Sequence, residues 1–88
     1  MNTDWWVYIV ECSDGSWYTG ITKDVEQRVK NHNSKNKGAK YTRTRQPVKL
    51  VFKDSGYNRS TALKEEYRIK KLSKREKLDY VSKTNNKI

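Results

Sequence analysis

Two aromatic and β-branched runs stand close together near the start of the chain, Trp6 to Cys12 and Trp17 to Thr22, separated by the turn-forming Ser13-Asp14-Gly15-Ser16. This pattern predicts an antiparallel hairpin. Asp24, followed three residues later by Gln27, has the form of a capping box and predicts a helix from about Val25 to Asn33, with Val25 and Val29 as its apolar positions. Ser34 to Gln46 shows no periodicity and is expected to be a loop. Pro47 then opens the apolar run Val48-Lys49-Leu50-Val51-Phe52, a third strand. Beyond Ser55-Gly56, Ser60 or Thr61 is expected to cap a helix reaching Leu72, and Ser73 with Glu76 a shorter one reaching about Val81. The order β-β-α-β-α-α describes an α/β (α+β) layer of three mixed or antiparallel strands flanked by helices. One domain is expected over residues 5–81, with residues 82–88 a polar tail whose end, Thr84 to Ile88, should fray.

Length and charge narrow the possible functions. A chain of 88 residues buries only about 60–65% of its unfolded surface, so the core must be thin, with no room for a large cavity or a buried organic cofactor. Twenty Lys and Arg against ten Asp and Glu give a formal charge of +10. That excess calls for a polyanionic partner, with nucleic acid ahead of an anionic membrane. There is no long apolar run, and Met1-Asn2-Thr3-Asp4 does not open a secretory signal, so a cytoplasmic location without membrane insertion is expected. Cys12 has no second cysteine to pair with, which excludes an intrachain disulfide and a structural zinc cluster of cysteines.

Candidate chemistry gathers on the hairpin and the first helix. Arg28 and His32 lie one helical turn apart, on a helix that follows closely after Tyr8 and Tyr18. An Arg and two Tyr hydroxyls near a strand end are tools for phosphate chemistry. Each residue also has a plain structural reading: strand tyrosines fill a thin core, Gly20 relieves a tight strand exit, and a histidine near a helix C-terminus complements the dipole. On the later helix, Glu66 has Ala62, Leu63 and Ile69 as neighbours, which puts a carboxylate on a face that should be apolar. Glu65 shares two of those neighbours, so helical geometry alone does not choose between them. Lys35, Lys37, Lys40, Arg43 and Arg45 surround Tyr41 in a basic stretch suited to tracking a nucleic-acid strand, and Lys23 sits at the mouth of the first helix.

The hairpin Trp6-Val7-Tyr8 to Tyr18-Thr19-Gly20, its exit Gly20-Ile21-Thr22-Lys23-Asp24, the Arg28 to His32 helix and Ala62-Leu63-Lys64-Glu65-Glu66 together resemble the GIY-YIG nuclease superfamily, in particular its small stand-alone bacterial members. The resemblance runs from about Trp5 to Val81. Neither tripeptide is literal, since the first reads Trp-Val-Tyr and the second Tyr-Thr-Gly, but both tyrosines and the second glycine remain. The resemblance implies hydrolysis of a phosphodiester with one divalent ion, Mg²⁺ or Mn²⁺, weakly held until substrate arrives. It assigns Arg28 to the scissile phosphate, Glu66 to the metal, and Tyr8 or Tyr18 to the attacking water, and its register favours Glu66 over Glu65. His32 joins them as a candidate catalytic group.

Two classes follow: a small metal-dependent endonuclease acting on nucleic acid, with DNA of the repair or recombination type placed ahead of RNA, and a non-catalytic nucleic-acid binder with the same fold. A carboxylate facing phosphate serves the first and not the second. A protein partner that supplies specificity is a third element to consider, because so short a chain has no room for a separate targeting domain.

Overall fold

A computed structural model describes residues 3–35 and 37–84. Strands β1 (Trp5–Glu11), β2 (Trp17–Thr22) and β3 (Lys49–Tyr57) form one antiparallel sheet in the order β2-β1-β3. Helices α1 (Val25–His32), α2 (Lys40–Arg43), α3 (Arg59–Lys70) and α4 (Lys74–Lys83) complete the chain. The strand order is that of the expected hairpin with the third strand added beside β1.

The two-residue period of β1 divides the core in two. Val7 and Ile9 face one side and pack with Phe52, Ala62, Ile69 and Val81, joining the sheet to α3 and α4. Tyr8, Val10 and Cys12 are buried in a second cluster with Val25 of α1 and Val48, and Trp6, Tyr18, Val29 and Leu50 pack against it. β1 therefore has no solvent face. A central strand buried on both sides reads as a continuous apolar run, as Trp6 to Val10 does.

Three features differ most from the sequence reading. Ser55-Gly56 does not end the third strand. Trp5 pairs with Tyr57 and Val7 with Asp54, so β3 carries one extra residue there, and Gly56 at φ +93° absorbs the bulge. Helix α3 starts earlier than a Ser60 or Thr61 cap would allow. Asn58 is its N-cap: its side chain accepts the Thr61 N–H at 2.8 Å, while the Thr61 hydroxyl accepts the Asn58 N–H at 3.0 Å. The basic stretch expected to be loop contains the single turn α2. Where the sequence reading placed caps at Asp24 and Ser73, they form. Asp24 accepts the Gln27 N–H at 3.1 Å, and Ser73 and Glu76 close a reciprocal box, from which α4 runs to Lys83. Residues 85–88 of the expected frayed tail lie outside the described residues.

The C-terminal end of α1 is stapled to the strand that follows the basic stretch. Asn33 accepts the Val48 N–H at 2.7 Å and donates back to the Val48 carbonyl at 3.0 Å. Gln46 Nε2 donates to the His32 and Ser34 carbonyls at 2.7 and 2.6 Å. These bonds satisfy carbonyls a helix end leaves open and fix His32 under the sheet.

Candidate functional site

Antiparallel pairing sets Tyr8 opposite Gly20 and Val10 opposite Tyr18, so both tyrosines leave the same face of the sheet, the one covered by α1. His32 at the end of α1 meets them there. It is fully buried, its Nε2 lies 2.7 Å from the Tyr8 hydroxyl, and its ring stands edge-on to Tyr18 at 5.2 Å. On the other side of the imidazole, Nδ1 lies 2.8 Å from Thr42 Oγ1. The Thr42 hydroxyl donates to the Ala39 carbonyl at 3.0 Å, which leaves its oxygen free to accept the Nδ1 proton. The Ala39 N–H also approaches Nδ1, at the long distance of 3.5 Å. With the proton on Nδ1, donated to Thr42, Nε2 accepts from the Tyr8 hydroxyl.

The electrostatics keep both groups neutral near pH 7. Burial pushes the Tyr8 phenol up to about 12, against the opposing pull of Arg28 through hydrogen bonding and charge. Burial pushes His32 down to about 4, and the Arg28 guanidinium pushes in the same direction. His32 therefore does not act as a cation complementing the helix dipole. Arg28, one turn before it, also donates from Nη1 to the Lys37 carbonyl at 3.4 Å.

Helix α3 supplies the carboxylate. Glu66 lies close enough for its charge to raise Tyr8, and its side chain is 19% exposed with Lys70 at 3.4 Å. Glu65 points elsewhere: its carboxylate takes both Arg68 nitrogens, at 2.9 and 2.6 Å, and the Tyr80 hydroxyl at 2.7 Å, tying α3 to α4. The structure thus separates two neighbouring glutamates that helical geometry left equivalent. Tyr8, Tyr18, Arg28, His32 and Glu66 converge, drawn from β1, β2, α1 and α3.

The basic candidates divide. Tyr41 stacks on Tyr18 at 5.9 Å, and Arg45 lies over Tyr41 at 3.9 Å, so this part of the stretch adjoins the site. Lys35, Lys37, Lys40 and Arg43 are exposed. Lys23 is turned to Asp4, at 3.8 Å, and to the ring of Trp5 at 5.6 Å, and the structure does not bring it to the tyrosines. Sequence reasoning missed Thr42, which holds the imidazole. It also missed Lys53, which pairs with Tyr8 across β1–β3 and lies 5.4 Å over Trp6.

Residues 4–79 match the GIY-YIG catalytic domain family. The chain belongs to that family. Among its relatives, the UPF0213 protein YazA of Bacillus subtilis (strain 168) is 46% identical over 79 residues, covering 90% of this chain and 79% of YazA. A UPF0213 protein of Desulfotalea psychrophila is 55% identical over 69 residues, 78% of this chain and 63% of that longer protein. The solution NMR structure of a UPF0213 protein from Bacillus halodurans superposes with a TM-score of 0.58 at 49% identity, covering 91% of this chain and 84% of that one.

GIY-YIG nucleases typically use a divalent ion. Among the described residues no three His, Cys, Asp or Glu side chains gather into a metal-binding group, so these residues build no closed cage. A single, mostly buried carboxylate facing the Tyr8 and Arg28 side is suited to an ion that keeps most of its waters and completes its shell with substrate oxygens. Glu66 is the residue that would hold it. No helix among the described residues is long and apolar enough to cross a membrane.

Proposed function

We propose that this protein is a metal-dependent endonuclease that hydrolyses phosphodiester bonds in nucleic acid, with branched, flapped or damaged DNA as the substrate class. The observation that carries the reading is the Tyr8 phenol held between a neutral, buried imidazole and the Arg28 guanidinium, within the field of the Glu66 carboxylate. A packing tyrosine needs none of these three neighbours.

Arg28 binds the scissile phosphate, where its planar fork matches two nonbridging oxygens. A divalent ion at Glu66 would neutralise charge developing on those oxygens. Tyr8 orients the attacking water. As the water's O–H bond breaks, its proton passes to the Tyr8 oxygen while the Tyr8 proton passes to His32 Nε2. The hydroxide so formed attacks phosphorus, and the P–O bond to the leaving sugar oxygen breaks, its electron pair staying on that oxygen, which takes a proton from solvent. The relay avoids a buried phenolate, which the raised Tyr8 pKa shows to be costly. Phosphate bound to Arg28 offsets the positive charge that helps hold His32 low, so substrate itself makes the imidazole a better base. Tyr18 packs edge-on against His32 and helps fix its plane.

Incubating the purified protein with labelled linear, flap and junction substrates, in Mg²⁺, Mn²⁺ or chelator, tests the reading. Metal-dependent cleavage of at least one substrate supports it. Salt-sensitive binding with no cleavage of any substrate would instead make the chain a non-catalytic binder, and no binding even near ~50 mM salt would remove nucleic acid as the partner.

A further inference from the structure

The Glu66 carboxylate already has a cation beside it. Lys70, one turn further along α3, places Nζ 3.4 Å from Glu66 Oε2 and 5.4 Å from the centroid of the Tyr18 ring, the ring on which Tyr41 stacks and against which His32 packs. Glutamate preceding lysine by four residues is the favourable helical order, and on an open helix surface such a pair is a weak, solvated contact. This pair is not placed that way. The Lys70 side chain is 47% exposed and that of Glu66 19%, as is that of Glu65, so in each pair the cation is the more open partner.

The neighbouring pair provides a contrast. Glu65 is held by an Arg fork and by a tyrosine hydroxyl, an arrangement that engages both its oxygens. Among the described residues Glu66 makes one ion pair, with a flexible, singly charged ammonium at a longer distance. Lysine binds as a point charge on a mobile stem and exchanges partners readily. An acceptor left mostly open and covered by a displaceable cation is arranged for exchange.

We propose that Lys70 is a positioning residue that competes with the divalent ion for Glu66 in the free protein and, once displaced, contacts a phosphate of the bound strand. The proposal rests on the endonuclease reading above and adds the coupling of cation and substrate at the same carboxylate. In the free protein the ammonium satisfies a buried negative charge and weakens metal binding by competition and like-charge repulsion. When a divalent ion takes the carboxylate, the ammonium is freed beside Tyr18, where the polyanion passes. Metal occupancy without substrate stays low, and metal and strand bind with positive coupling.

The first arm of the test uses Mn²⁺ alone, titrated into the ¹⁵N-labelled full chain, with paramagnetic broadening of the amides of residues 65–67 as readout and no nucleic acid present. Lys70→Met should tighten Mn²⁺ binding about three- to tenfold, Lys70→Arg should stay within about twofold of the parent, and Glu66→Gln should abolish site-specific broadening in either background. Unchanged or weaker Mn²⁺ binding by Lys70→Met would overturn the competition. The second arm measures affinity for a labelled DNA strand against salt, in saturating Ca²⁺ and in chelator. Exchange of Lys70 onto phosphate requires the salt slope of the parent to exceed that of Lys70→Met by about 0.7–0.9 in Ca²⁺ but not in chelator. A difference in both conditions makes Lys70 a permanent phosphate contact, a difference in neither makes it a helix ion pair only, and both results overturn the exchange. A parent protein that binds no nucleic acid refutes the endonuclease reading and leaves the Mn²⁺ result standing by itself.

Discussion

Gly20 leaves the space that the Tyr8 phenol occupies. The two residues face each other across β1–β2, and a Cβ built on Gly20 would lie 2.5 Å from the Tyr8 hydroxyl oxygen and 2.7 Å from the ring carbon bearing it. Gly20 is therefore chosen for close approach and not for a special backbone angle. Gly20→Ala is expected to push the phenol off His32 and to cost about 1–3 kcal/mol as an overpacked contact. Urea unfolding measures the loss of stability. The ¹⁵N shift of His32 Nε2 reports whether the hydrogen bond survives, and a parent-like shift would mean that the ring has room to move.

The buried imidazole gives stability a pH dependence of known sign. Burial pushes His32 down to about 4 in the folded protein, from the ordinary histidine value of 6.5 that it regains when unfolded, so between these values the unfolded chain binds the extra proton. Its contribution is complete above pH 6.5 and is lost as pH falls to 4, in all about 3 kcal/mol. Urea midpoints measured from pH 7 to pH 4.5 should fall for the parent and lose much of that slope in His32→Gln. Equal slopes in the two proteins would show that the imidazole titrates normally.

In the proposed mechanism Arg28 acts through shape as well as charge, which Lys cannot imitate. Arg28→Lys should keep stability within about 0.5 kcal/mol and leave nucleic-acid affinity nearly unchanged, since one phosphate contact among many is lost. Single-turnover cleavage should fall about a hundredfold or more, because transition-state charge concentrates at that phosphate. A parent-like rate would reject the role.

The adjacent glutamates should separate in opposite directions. Glu66→Gln is close to isosteric and should abolish cleavage while fold and binding persist. Glu65→Gln should leave cleavage in place but weaken the junction of α3 and α4 by about 1–3 kcal/mol, because it removes the charge on the carboxylate that Arg68 and Tyr80 share. Thermal unfolding and a cleavage assay on both variants suffice. Loss of cleavage in Glu65→Gln alone would reverse the assignment.

What the sequence revealed was local. The hairpin, the Asp24 and Ser73 caps and the apolar centre of β1 are written in neighbouring residues, whose period and turn chemistry are independent of the rest of the chain. The convergence of Tyr8, Tyr18, Arg28, His32 and Glu66 was legible because family resemblance supplied the long-range register that periodicity lacks. Thr42 was not legible, since one threonine in a basic, aperiodic stretch carries no sign that its hydroxyl will meet a histidine ten residues earlier. The Asn33 and Gln46 staples were missed for the same reason, and so was Lys53, whose place beside Tyr8 depends on a β3 register shifted by a bulge. Helical geometry alone did not choose between Glu65 and Glu66; the family register favoured Glu66, and in the structure Arg68 and Tyr80 take up Glu65.

Arg45 donates to Asp14 in the β1–β2 turn at 3.1 Å and to the Tyr41 carbonyl at 2.8 Å, and its guanidinium lies over the Tyr41 ring. The hairpin turn and the single turn α2 are thereby bolted into one wall, with Tyr41 pressed on Tyr18. Under the proposed endonuclease reading, a strand arriving there would meet a surface already in shape, so little ordering entropy would be lost on contact. Discrimination would then fall on the strand, with nucleic acid already bent, frayed or branched fitting such a wall at lower cost than a straight duplex.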